Sequence, residues 1–220
     1  AGMVASAGGC DAMLEPLHYM GFWKLGALSD WTGDPARCSR PFDRNRRGVV
    51  LGEGAAFYTI EQEADADPAA ILCEIAGYAT TSDSYLITDP EPEGRLLTRA
   101  AIEAINDAGI TPDDIDAVHA HGTGTIKNDL AECAAMKRIF GERYRDIPVF
   151  SLKAQIGHLI GACGAVEIAA AVYALRHQVA LPTINRDTPD PDIDLLIPDR
   201  ITPARMRYIL KLNAAFGGQN

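Results

Sequence analysis

His121 and His158 are the residues of this chain best placed to do chemistry. His121 sits in Ala120-His121-Gly122-Thr123-Gly124-Thr125, and His158 in Gly157-His158-Leu159-Ile160-Gly161-Ala162. Each follows a short apolar run that reads as a strand. Each imidazole is therefore expected at a strand end, where open α/β sheets bind their ligands. The flanking glycines lack Cβ atoms and let a substrate come close to the backbone. A neutral imidazole aimed at a carbonyl oxygen is a hydrogen-bond donor, so the pair points to carbonyl chemistry. Thr123 and Thr125 add hydroxyls on the same stretch. Lys153 precedes His158 by five residues. A cation there would keep both imidazoles neutral by disfavouring a second positive charge. Glu167 could position Lys153 or a water, and an ordinary salt bridge is the plainer alternative. Taken alone, His-Gly-Thr reads first as a glycine turn with an incidental histidine.

Such a pair calls for a nucleophile, and the five cysteines do not supply an obvious one. Cys163 lies near a helix N-terminus, where a thiolate is stabilised. Its surroundings, Gly161-Ala162-Cys163-Gly164-Ala165, read instead as tight helix packing around a small apolar residue. Cys10, in Gly8-Gly9-Cys10-Asp11, reads the same way. Phe216-Gly217-Gly218 offers unshielded backbone N–H groups that could form part of an oxyanion hole.

The elements that must hold these residues alternate. A strand is expected over residues 1–7, a turn at Gly8-Gly9 and a helix near Ala12–Met20. Strands follow around Gly48–Leu51 and Ala55–Ile60. Gln62 to Ala70 is polar, acidic and interrupted by Pro68, which makes it the best boundary between two halves. Beyond it, strands are expected over Ile71–Tyr78, Ile115–Ala120, Pro148–Leu152 and Tyr208–Leu212. Helices are expected over Gly94–Ala108, Asn128–Phe140 and Gly161–Arg176, the first two closed by Gly109 and Gly141. This alternation predicts a layered α/β fold with a largely parallel sheet.

The totals narrow the function. The 220 residues carry 20 basic and 30 acidic side chains, a net charge of −10, which argues against nucleic-acid binding. The stretches Arg44-Asn45-Arg46-Arg47 and Lys137-Arg138 read as solvated surface, or alternatively as docking points for an acidic partner. Hydrophobic residues make up 47%, enough for a substantial core. Nothing resembles a membrane span or a signal peptide. The cysteine spacings match neither a metal site nor a redox pair, and an odd, scattered set fits a reducing, cytoplasmic setting.

Taken in order, the motifs are specific: His-Gly-Thr-Gly-Thr, Asn128-Asp129-x-x-Glu132, Ser151-x-Lys153 leading to Gly157-His158, Pro182-Thr183-Ile184-Asn185, and Phe216-Gly217-Gly218-x-Asn220. Upstream stand Gly8-Gly9, Ser39-Arg40-Pro41-Phe42-Asp43 and Gly52-Glu53-Gly54-Ala55, then Ser82-Asp83 with Thr88 and Pro90. The chain closely resembles the β-ketoacyl-acyl-carrier-protein synthases, condensing enzymes of the thiolase superfamily. The resemblance implies a thiolase-like layered α/β sandwich, present here as a partial copy of a duplicated fold. Residues 1–62 would be the tail of the N-terminal half, and 63–220 the C-terminal half lacking its last strand.

It also implies a decarboxylative Claisen condensation of malonyl-carrier-protein with an acyl thioester, in fatty acid or polyketide synthesis. His121 and His158 match the two catalytic histidines, Lys153 the active-site lysine and Glu167 its supporting glutamate. Thr123 and Thr125 match contacts to the phosphopantetheine arm of the carrier, which is a substrate and not a bound cofactor. Phe216 and Gly217 match the aromatic gate and the adjoining oxyanion-hole backbone. The implied partners are an acyl carrier protein, an N-terminal half carrying the nucleophilic cysteine, and a homo- or heterodimer mate. The isolated 220 residues are expected to be inactive. Two departures touch the acyl pocket: Ala214 stands where relatives have a bulky aromatic, and Leu86 where many have histidine. The alternative is a non-catalytic partner subunit, akin to a chain-length factor.

Overall fold

The computed structural model describes residues 4–220, so Ala1–Met3 of the first expected strand lie outside the described residues. Strand β1, Val4–Ala12, pairs antiparallel along its whole length with β2, Glu53–Glu61. Gly8 and Gly9 lie inside β1 and form no turn. Their reason is close approach: a Cβ at Gly9 would sit 2.6 Å from the carbonyl oxygen of Gly161. Because β1 runs through Ala12, helix α1 starts later than expected. It spans Pro16–Lys24, with the proline in the first turn, where its missing N–H costs nothing.

The strand expected over Gly48–Leu51 pairs only through single bridges, Leu28 with Val49 and Leu51 with His158. Ile71–Tyr78, expected as a strand, forms none. Among the described residues it has no neighbouring ladder, and a strand exists only through pairing. Helix α2 spans Arg95–Asp107, close to expectation. It packs on α3, Ile126–Phe140.

The sheet that carries the site is short and parallel. Its order is β4–β3–β7, with β3 at Ala117–His119, β4 at Val149–Phe150 and β7 at Ile209–Lys211. Each lies within its expected run. Every residue of β3 and β4 is buried, as the apolar runs implied for a sheet covered on both faces. Phe42, Ile105, Val118, Met136 and Ile147 pack into one continuous core. Not anticipated from the sequence is α4, Lys153–Ile156, which puts Lys153 at a helix start and not at a strand end. Nor is the antiparallel pair β5, Val179–Ala180, and β6, Thr202–Pro203. Helix α5, Cys163–His177, follows a 3-10 turn at Ile160–Ala162.

The basic stretch at 44–47 is only partly surface. Arg46 is buried, 3.4 Å from Asp129 and paired with Asp190, so it ties the first segment to α3 and the 182–200 loop. Lys137 and Arg138 stay at the surface, paired with Asp194 and Glu93. Among the described residues no helix is long and apolar enough to cross a membrane.

Candidate active site

His121 leaves the end of β3 into a turn pinned by one buried carboxylate. The N–H groups of His121 and Gly122 donate to Glu132 Oε1 and Oε2 at 2.6 and 2.7 Å. Glu132 also accepts from Asn128 at 2.8 Å. Asp129, one turn earlier on α3, accepts from the N–H of Phe42 and of Gly124. The motif Asn128-Asp129-x-x-Glu132 thus shapes the His121 loop from beneath. Burial pushes both carboxyls up, Asp129 to about 6 and Glu132, which also feels Asp129, to about 7.

His158 is set from the opposite side. Its N–H donates to the Val50 carbonyl at 2.7 Å, and its carbonyl accepts from Gly52 at 2.9 Å. The 48–52 segment therefore serves as a clamp for this histidine. Ile160 next to it has φ of 47°, a left-handed conformation that is strained for a β-branched residue. That strain turns its N–H onto His158 Nδ1 at 3.1 Å.

These contacts settle which nitrogen carries hydrogen. His158 Nδ1 accepts from Ile160, so the proton sits on Nε2. His121 Nδ1 lies 3.4 Å from Lys153 Nζ, which has only hydrogens to offer, so His121 also carries its proton on Nε2. The two rings stand edge to face with centroids 5.3 Å apart. Both are held neutral. For His121 burial comes first, then Lys153 and His158, and it lies well below the ordinary range. His158 falls to about 3 through burial, then Lys153 and Lys211.

Lys153 is fully buried. Its Nζ donates to the His121 carbonyl at 2.6 Å and to Glu167 Oε1 at 2.5 Å. Isolated buried charges are costly, and this pair survives because each charge has a partner. Glu167 Oε2 faces a second cation, Lys211 Nζ at 2.9 Å, close enough for ion pairing but not aligned as a hydrogen bond. Lys211 was not singled out from the sequence. The available signal was a lone lysine in the apolar run Ile209-Leu210-Lys211-Leu212.

His121, His158, Thr123, Thr125 and Phe216 line one open cavity of about 1200 Å³, together with Cys163, Asn213 and Ala214. The two threonine hydroxyls lie 2.9 Å apart. Phe216 is half exposed and stacks toward Phe22, with centroids 6.4 Å apart. Gly217 is a correction to the oxyanion-hole expectation. Its N–H already donates to the Ile87 carbonyl at 2.7 Å, so it is not free for a substrate. Cys163 packs with Leu159 and Ala162, as read from the sequence. Its Sγ also accepts from Leu159 N–H and lies 3.0 Å from His158 Nδ1. Burial pushes this thiol up, away from a thiolate.

Known proteins resemble this chain in sequence and in fold. The family model "Beta-ketoacyl synthase, C-terminal domain" matches residues 72–187, and "Beta-ketoacyl synthase, N-terminal domain" matches 3–66. A putative polyketide beta-ketoacyl synthase 1 of Streptomyces cyaneus is 42% identical over 98% of this chain and 52% of its own length. A 3-oxoacyl-[acyl-carrier-protein] synthase 2 of Synechocystis sp. is 41% identical, over 97% of this chain and 52% of its own. Among solved structures, a ketosynthase captured with its type II polyketide acyl-carrier protein superposes with a TM-score of 0.95. It is 35% identical over 98% of this chain and 54% of that one. A beta-ketoacyl synthase from Burkholderia phymatum gives 0.90 at 36% identity, covering 99% and 53%. The chain spans about half the length of the curated relatives it matches. It has the thiolase-like layered α/β architecture of these neighbours and belongs to the β-ketoacyl synthase family.

Proposed function

We propose that the protein containing this chain condenses a malonyl thioester with an acyl thioester, both delivered on an acyl carrier protein, in fatty acid or polyketide synthesis. The observation that carries this reading is the pair of neutral imidazoles, both protonated on Nε2, lining one cavity and backed by Lys153 and Glu167. His121 and His158 donate to the malonyl thioester oxygen. The bond from the α-carbon to the carboxylate breaks, CO2 leaves, and its electron pair forms an enolate held by the two N–H groups. The acyl group has first passed from its carrier to a cysteine thiolate, releasing the carrier thiol. The enolate carbon attacks the carbonyl of that acyl-cysteine thioester and expels the cysteine thiolate, giving the 3-ketoacyl product on the malonyl group's carrier. Lys153 holds His121 through its carbonyl and keeps both rings uncharged. Glu167 holds Lys153. Thr123 and Thr125 bind the phosphopantetheine arm, and Phe216 borders the acyl pocket, which Ala214 widens.

Residues 1–62 act as the tail of the N-terminal thiolase-fold half and 63–220 as the C-terminal half. The thiolate belongs to a segment outside these residues, because the one thiol beside the histidines, Cys163, is buried and raised. The assembly is a dimer working in the reducing cytoplasm, where the five cysteines remain free. A second reading, a non-catalytic partner subunit, draws on a related solved structure that is a ketosynthase/chain length factor complex. The residue at the nucleophile position of the full-length protein separates the two readings: cysteine supports the synthase, and glutamine or serine contradicts it. The purified 220-residue chain, given acyl and malonyl carrier proteins, is expected to yield no 3-ketoacyl product. Product from the chain alone would overturn the assignment of the thiol.

A further inference from the structure

Strand register puts a second lysine next to the two histidines. His119 on β3 pairs with Lys211 on β7, and His121 follows two residues beyond the end of β3. Lys211 is only 15% exposed. Its ammonium donates to Asn213 Oδ1 at 2.8 Å and to the Leu212 carbonyl, and it faces Glu167 Oε2. Asn213 lines the cavity and lies within reach of the His121 ring. Glu167 thus bridges two lysines, one brought by α4 and one by β7. With both lysines charged and both imidazoles neutral, this cluster carries one net positive charge.

We propose that Lys211 is a positioning residue for the two-histidine centre, acting through Glu167 and Asn213. It caps the free oxygen of Glu167, so that Lys153 keeps its place on the His121 carbonyl. It fixes the Asn213 amide by occupying Oδ1. It also adds a second cation that holds both rings uncharged, as the downward displacement of each ring reflects. The charged and titratable groups facing Lys211 are Glu167 and Cys163 on α5, Lys153 on α4, Glu132 on α3, His119 and His121 on and after β3, and His158 beyond α4. Protonation would matter through geometry. A proton on His158 Nδ1 would face the Ile160 N–H, and one on His121 Nδ1 would face the Lys153 ammonium. Either turns an acceptor into a donor that meets a donor.

This inference rests on the condensing-enzyme reading for its kinetic arm only. The test compares the full-length protein with its Lys211→Met and Lys211→Arg variants. Malonyl-carrier-protein decarboxylation is followed from pH 5 to 8, and histidine ring 15N spectra are recorded over the same range. Lys211→Met should raise the protonated fraction of the rings at pH 5 about tenfold, the effect of one unit of displacement, and bend the rate profile downward at the acid end. Its KM should hold, and its ring signals should gain protonated character at the acid end. Lys211→Arg should keep the parent profile. A Met variant with the parent's pH profile and ring spectrum overturns the proposal. Should Lys211→Met fail to fold, Lys211→Gln, which keeps the bond to Asn213 without the charge, takes its place under the same criteria. The parent spectrum is a further check: a ring already protonated at pH 6 contradicts the proposal. If the parent releases no CO2, the condensing-enzyme reading fails, and the ring spectra still decide the role of Lys211.

Discussion

At the scale of single residues, the site works by assigning protons. Each histidine accepts at Nδ1 from a group with nothing else to give, Lys153 Nζ or the Ile160 N–H, and is left with its proton on Nε2. Burial is the largest cause of the neutrality and the lysines come second. This has a consequence for stability. His158 is displaced downward, so its contribution is fully present above its ordinary value of 6.5 and is lost as pH falls toward about 3. In the full-length protein His158→Asn, which cannot take up a proton, should show a shallower loss of stability than the parent between pH 6.5 and 4 in urea unfolding. Identical slopes would mean that His158 is not held neutral by the fold. His119 obeys the same physics without a visible task. It is buried against Phe150, and neither of its ring nitrogens has a hydrogen-bond partner among the described residues.

At the scale of elements, the histidines are held by loops that rigid pieces clamp. Gly122 shows how tight the fit is. Its φ is +47°, and a Cβ there would lie 2.5 Å from Ser151 Cβ. Gly122→Ala should therefore cost about 2–5 kcal/mol, combining left-handed strain with overpacking. Thermal unfolding measures it, and a change within 0.5 kcal/mol, roughly the effect of a neutral surface substitution, would contradict the clamp. Much of this layer was legible in the sequence. Helical spacing located α2 and α3, and apolar runs located β3, β4 and β7. What was not legible depended on partners distant in sequence. Gly8-Gly9 looked like a turn because nothing local announces that Gly161 will cross it. Ile71–Tyr78 had strand composition but found no ladder. The 48–52 segment turned out to clamp His158, a contact spanning more than a hundred residues of chain. A lone lysine in the apolar run of β7 is a weak local signal, and only the register of β7 against β3 reveals its setting.

At the scale of the whole molecule, His121, His158 and the two threonines line one open cavity, Lys153 lies buried and Lys211 largely buried behind them, and the thiol beside the histidines is packed and pushed up by burial. The chain spans about half the length of its relatives, and the contribution proposed for it is the decarboxylating centre of the full-length protein. The most direct test of that claim is release of labelled CO2 from malonyl-carrier-protein by the full-length protein and by its His121→Ala variant. Loss of one oxyanion donor costs about a hundred- to a thousandfold. The account predicts at least that loss in CO2 release, with the variant still folded and still taking up the acyl group on its nucleophile. Unchanged CO2 release from a folded His121→Ala protein would contradict it.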